Sequence, residues 1–137
     1  MKLTFALLAR YAEIDPDSGL LNVTGGGIDV FGLERLPAEF PIAFALQFRY
    51  PEHEAGQTFQ IALATLDPQI QPVGEPTDFE ITPQLGAYHA DGWQGIYAVA
   101  GTVILAVESP GTHSISIKID GALAGDIPFQ VFQASDD

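Results

Sequence analysis

The sequence predicts an all-β chain that folds as one single-domain antiparallel β-sandwich of the immunoglobulin-like kind, with about eight or nine strands. Apolar and polar residues alternate along much of the chain, most strictly over residues 112–121. This is the period of a strand with one face in a core and one in water. Clusters of turn-forming residues separate the alternating segments, and no long stretch repeats with the period of a helix.

The N-terminal part predicts a hairpin followed by a loosened connection. Residues 2–14 alternate, and the sequence Asp-Pro-Asp-Ser-Gly at 15–19 is typical of a turn, because Asp and Ser bond to nearby backbone while Pro and Gly fix its dihedral angles. A short strand is expected at 20–24. Three glycines at 25–27 then predict a bulge or a crossing between sheets before a strand resumes at 28–31.

The central part has the clearest inward face. Residues 42–50 place a large apolar or aromatic side chain at every second position, after a connection at 36–41. The loop at 51–56 predicts a hairpin, with the strand at 59–65 returning beside it.

The C-terminal part predicts two weak strands near 70–73 and 79–81, a loop at 85–95, a long strand at 96–107 and a final hairpin that turns at Asp120 and Gly121. We expect residues 1–134 to form the single domain. The acidic tail at 135–137 is expected to be frayed.

Composition limits the function. The chain has 137 residues and a formal net charge of -13. Nucleic acids and anionic membranes are therefore unexpected partners, because both are bound through Lys and Arg. The chain contains no cysteine, which removes thiolate chemistry and cysteine-based zinc sites. The apolar start ends at Arg10 without a cleavage site for a signal peptide, so we expect a cytoplasmic protein.

Small residues on the second face of two strands suggest an interface. Ala43 and Ala45 lie opposite the large inward residues of one strand, and Ala62 and Ala64 do so on the strand expected to pair with it. Alanine is depleted in strands, so this pattern indicates that a loop, a second subunit or the other sheet lies close above. The alternative is that alanine is merely tolerated on a poorly exposed face.

The loop at 85–95 carries the most site-like cluster. Tyr88, His89, Asp91 and Trp93 supply aromatic rings, a titratable group and a carboxylate, which suit a sugar or a partner side chain. The alternative is that Tyr88 and Trp93 cap one end of the core. No spacing predicts a metal site, a cofactor or catalytic residues, and we read the acidic turn at 15–19 as a plain turn rather than a calcium loop.

Three stretches together resemble a family of small uncharacterised bacterial proteins that is common in actinobacteria. They are residues 6–12, residues 19–27, and an ending made of 110–113, 119–121 and 127–131. The resemblance implies a compact β-sandwich. It implies no activity and no catalytic residues.

The sequence therefore favours a non-enzymatic protein-interaction or structural module that self-associates through a sheet face or edge as a homo-oligomer. The alternative is a sandwich that binds a carbohydrate or another small molecule through the 85–95 loop. A hydrolase or metal enzyme that uses His89 with Asp91 is the third reading, and sandwiches host all three functions.

Overall fold

The computed structural model describes residues 1–86 and 89–134. Over these residues the chain forms strands and one short 3-10 helix, Glu52–Glu54, so the all-β prediction is confirmed. No helix in this part of the chain is long and apolar enough to cross a membrane. The strands are β1 (Lys2–Ile14), β2 (Leu21–Gly26), β3 (Val30–Leu33), β4 (Ala38–Tyr50), β5 (Phe59–Leu66), β6 (Pro72–Ile81), β7 (Gly95–Val107), β8 (Gly111–Ile119) and β9 (Ala122–Gln133).

The strands form two packed sheets, as the sandwich prediction requires. Sheet A has the order β2-β1-β4-β7, and sheet B has the order β3-β9-β8-β5-β6. All neighbouring strands are antiparallel except β3, which runs parallel to β9. The finer prediction of an immunoglobulin-like arrangement stays a prediction.

The two predicted terminal hairpins are confirmed. Asp15 turns β1 into β2, and its carboxylate accepts the backbone N–H groups of Asp17 at 2.8 Å and Ser18 at 3.0 Å. These bonds lower the pKa of Asp15. At the other end, Asp120 and Gly121 join β8 to β9 with φ values of 49° and 83°, the positive pair that a two-residue hairpin turn favours.

Alternate residues of both sheets fill the core between them. Apolar burial of this kind is the main term that favours folding. His113 shares the inward parity of its strand and is only 1% exposed, so it lies inside the core. Its ring stacks on Phe129, with centroids 5.3 Å apart. The largest buried side chains include Leu8, Leu46, Phe48, Ile61, Leu105, Ile115, Ile117 and Phe129.

The predicted hairpin between β4 and β5 is wrong. β4 pairs with β1 and β7 in sheet A, whereas β5 pairs with β6 and β8 in sheet B. The connection, which contains the 3-10 helix and Gly56 at φ 82°, carries the chain from one sheet to the other. Ala43 and Ala45 therefore do not share a face with Ala62 and Ala64.

Candidate functional site

The outer faces of the two sheets differ in chemistry. The outer face of sheet B is polar over β5, β6 and β8, where Ala62 and Ala64 are half-buried, and it exposes Val30, Leu123 and Phe132 along β3 and β9. Ala62 lies between Asp78 and Lys118 on the neighbouring strands. This is the composition expected of a sheet face in contact with water. The polar residues of this face include Gln60, Asp78, Glu80, Thr112, Ser114, Ser116, Lys118, Asp126 and Gln130.

The outer face of sheet A is apolar instead. Four large side chains on it are substantially exposed: Phe5 and Tyr11 on β1, and Ile96 and Ile104 on β7. They stand on the two strands that flank β4, on the side away from the core. A sheet face that meets water normally alternates to polar residues, so this face departs from the usual pattern.

Between these large side chains the face has a floor of small residues. Ala43 and Ala45 are 8% and 0% exposed, and by register they lie beside Ala9 and Leu7 of β1. Ala100 of β7 lies on the other side of Ala45. Two of the four alanines predicted from sequence thus belong to this floor. Sequence reasoning missed the exposed residues around it, although the parity of β1 and β7 could have found them.

The charged residues of this face stand at its two ends. Lys2 and Arg49 are cross-strand partners at one end. Glu13 and Glu39 extend from β1 and β4 at the other end, and the Glu13 carboxylate accepts the Tyr11 hydroxyl at 2.8 Å. This bond and the nearby carboxylate charge raise the pKa of Tyr11. The face as a whole carries two cations and two carboxylates in a chain whose net charge is -13.

The edge of sheet A next to this face lacks the usual protection. β7 is an edge strand of 13 residues without a charged residue or proline, and it pairs with β4 in unbroken register. Natural edge strands are normally short, charged or bulged, because exposed backbone groups invite another strand. Near Ala106 sheet B approaches this strand closely, since a Cβ added to Gly74 would lie 2.9 Å from the Ala106 methyl group.

The second candidate site, the loop at 85–95, is anchored by a residue outside it. Glu52 of the 3-10 helix lies 2.5 Å from Nε2 of His89 and accepts the Gly92 N–H at 2.8 Å. These two contacts lower the pKa of Glu52. His89 is thus paired with Glu52, and Asp91 is exposed. Tyr88, which the sequence places in the same cluster, lies outside the described residues.

A shallow hollow of about 390 Å³ lies beside this loop. Trp93 is 66% exposed and lines the hollow together with Tyr50, His89 and Ile96. Tyr50 is buried and its hydroxyl donates to the Gln84 carbonyl at 2.7 Å. Burial, followed by the nearby Tyr97, raises the pKa of Tyr50. Trp93 is therefore an exposed aromatic at the mouth of a hollow, not a cap on the core.

Neither candidate site gathers metal ligands. In the part of the chain that the structure describes, no three His, Asp or Glu side chains converge on a common point. In the 85–95 loop, His89 is paired with Glu52.

Comparisons with known proteins identify a family but no activity. The profile of a family of unknown function, DUF6941, matches residues 4–132. No curated protein matches the chain.

Among the solved structures that resemble the chain is the Pseudomonas fluorescens alkylpurine DNA glycosylase AlkC bound to DNA containing an abasic site analog, with 14% sequence identity and a TM-score of 0.37. The match covers 77% of this chain and 28% of the glycosylase chain. A likeness this low carries no argument about function.

Proposed function

We propose that this chain, which belongs to the family of unknown function DUF6941, is a non-enzymatic protein-interaction module that self-associates through the outer face of sheet A. The observation that carries the proposal is the exposed apolar set of Phe5, Tyr11, Ile96 and Ile104 on that face. It replaces the sequence-based interface of Ala43, Ala45, Ala62 and Ala64, because only the first two of those alanines lie there.

Covering these side chains would be favourable. Burying a large apolar side chain completely stabilises an assembly by roughly 1.5–3 kcal/mol, and these four are between 39% and 56% exposed. The outer face of sheet B also exposes Val30, Leu123 and Phe132, but these lie along its β3–β9 edge, where Leu123 is paired with Lys118.

Charge favours a second copy as the partner. Two copies with a net charge of -13 repel each other over most of their surfaces. The outer face of sheet A is different, because Lys2 and Arg49 balance Glu13 and Glu39 there. Self-association is therefore least opposed at the same face that gains most from burial.

A matched pair of variants tests this proposal. Ile104→Glu places a carboxylate in the exposed apolar set, whereas Val30→Glu places the same group on β3 of sheet B, where Val30 is 49% exposed. We expect light scattering to show a monomer for Ile104→Glu and a wild-type mass for Val30→Glu. Equal masses for the wild type and both variants would overturn the proposal.

A second candidate function is favoured by one observation, the exposure of Trp93 at the mouth of the hollow. A sugar ring or another small amphipathic molecule would stack on the indole, as aromatic rings in ligand sites commonly do. The 85–95 loop would then act as a ligand site independent of the sheet face.

Fluorescence tests this candidate directly, because Trp93 is the single tryptophan. A saturable shift of its emission during titration with mono- and oligosaccharides would support the candidate. The heat of binding in calorimetry should then disappear in Trp93→Ala. An unchanged spectrum across the sugars would count against it.

A further inference from the structure

We infer that two copies meet across sheet A with their strands antiparallel, so that the Lys2–Arg49 end of one face covers the Glu13–Glu39 end of the other. This inference rests on the proposed self-association and adds the orientation and the contacts of the partner copy. It follows from the order in which side chains stand along the face.

The strand register arranges the face in six rows across β1, β4 and β7. Beginning at the basic end, the first row is Lys2, Arg49 and Ile96. The second row is Phe5, Gln47 and Ala98, and the third row is Leu7, Ala45 and Ala100. The fourth row is Ala9, Ala43 and Thr102, and the fifth row is Tyr11, Pro41 and Ile104. One hollow is lined by Tyr11, Pro41, Ala43 and Thr102. The sixth row holds Glu39 and Ala106, with Glu13 at the end of β1.

A two-fold axis between the third and fourth rows, perpendicular to the strands, makes this order self-complementary. It places the first row over the sixth, the second over the fifth and the third over the fourth. The exposed Ile104 then covers the smaller Ala98 of the second copy. Such alternation of size is what interdigitated packing requires.

The aromatic residues and the charges fit the same axis. Phe5 meets Tyr11 of the second copy, a pairing that contributes about 0.5–1.5 kcal/mol beyond its area in well-packed cases. Lys2 and Arg49 meet the carboxylates of Glu13 and Glu39. Each of these contacts occurs twice, because an isologous interface uses every contact in both directions.

The basic pair also points to a partner carboxylate. Lys2 and Arg49 are directly opposite each other, an arrangement of like charges that destabilises a sheet. Among the residues that the structure describes, neither one forms a salt bridge. Carboxylates from a second copy would relieve this repulsion.

The other two-fold orientation lacks these matches. An axis parallel to the strands leaves each end of the face over itself. Arg49 would then meet Arg49 of the second copy and Glu39 would meet Glu39, with Lys2 and Glu13 one strand away from these like charges. Opposed like charges cost several kcal/mol when they are brought together across an interface.

The size of the face sets the expected strength. Three strands about 4.8 Å apart and six rows about 6.8 Å apart span roughly 14 by 34 Å, or about 480 Å² per copy. The total of about 1,000 Å² is at the lower limit for a specific interface. We therefore expect a dimer that dissociates on dilution.

Three charge variants test the orientation. Lys2→Glu with Arg49→Glu makes both ends acidic, and Glu13→Lys with Glu39→Lys makes both ends basic. Combining all four substitutions restores opposite ends and leaves the net charge at -13. We expect each two-residue variant to weaken dimerisation at least tenfold, and the four-residue variant to recover the wild-type dissociation constant.

Sedimentation at several concentrations measures this set, with circular dichroism to verify the strand content of each variant. If all the charge variants dimerise like the wild type, the orientation is overturned but self-association is not. Pairing through the edge of β7 would give that result. A folded four-residue variant that stays monomeric would also overturn the orientation. A wild type that is monomeric throughout would instead reject the proposed function itself.

Discussion

Truncating Ile104 to alanine should weaken self-association and leave the sandwich folded. Ile104 stands on the outer side of β7 and is 56% exposed in the isolated chain. In the proposed dimer it covers Ala98 of the second copy. The substitution removes apolar surface without adding a charge, so its effect can be scaled from burial alone.

The magnitude follows from the exposed fraction. Complete burial of an isoleucine side chain stabilises by about 1.5–3 kcal/mol, so burying the exposed half contributes about 1–1.5 kcal/mol per copy. The two-fold axis doubles this to about 2–3 kcal/mol per dimer. At about 1.4 kcal/mol per factor of ten, the dissociation constant should rise about 30- to 150-fold.

The fold should survive the same change. The buried part of the side chain and its strand propensity together account for about 1–2 kcal/mol of folding free energy. This is a fraction of the 5–15 kcal/mol typical of a domain.

Sedimentation equilibrium of the wild type, Ile104→Ala and Val30→Ala measures the effect. Val30 is the control, since it is another β-branched side chain that is half exposed but lies in sheet B. We expect Val30→Ala to dimerise like the wild type. A dissociation constant for Ile104→Ala within a factor of two of the wild-type value would refute the reasoning.

Two further predictions concern local contacts. Asp120→Ala should lower the free energy of unfolding in urea by about 1–2 kcal/mol, because Asp120 accepts the Gln60 N–H at 2.8 Å and has a φ of 49°. The free energy of unfolding of Asp120→Asn should stay near the wild-type value. Glu52→Gln should weaken the contact with His89 and shift the Gly92 amide resonance in NMR. Acid should have the same effect. Because the pKa of Glu52 is lowered, its carboxylate is ionised and makes the contact at pH values above the ordinary glutamate pKa of about 4.3, and the contact is lost as the pH falls through the lowered pKa. A Gly92 resonance unchanged by either treatment would contradict this second prediction.

The fold was predictable where local chemistry decides it. The turns at Asp15 and at Asp120–Gly121 depend on residues adjacent in sequence, and both hairpins form as expected. The parity of β8 likewise places His113 on the inward side. The extent of burial of His113 was not predictable, because it depends on Phe129 of the neighbouring strand.

The choice of strand neighbours was not predictable from alternation. A period of two specifies the face on which a residue lies, but it does not specify which strand lies beside it. The eight residues from Pro51 to Thr58 fit either a return within one sheet or a crossing to the other. No sequence pattern predicts the parallel pairing of β3 with β9, which joins distant parts of the chain.

The candidate site was predictable only in part for the same reason. Ala43 and Ala45 lie on the outer face of sheet A as their parity indicates, but the pairing of β4 with β1 and β7 determines what surrounds them. Only that pairing brings Phe5 and Ile104 to one surface. In the 85–95 loop, likewise, the partner of His89 comes from Glu52, which is 37 residues away.

The solution mass of the wild-type chain tests the central claim most directly. Light scattering over a range of protein concentrations should give a mass that rises from 14.6 kDa toward twice that value. A constant 14.6 kDa at every concentration would contradict the account. The exposed apolar face of sheet A would then have no role in self-association, and the hollow beside Trp93 would be the site to pursue.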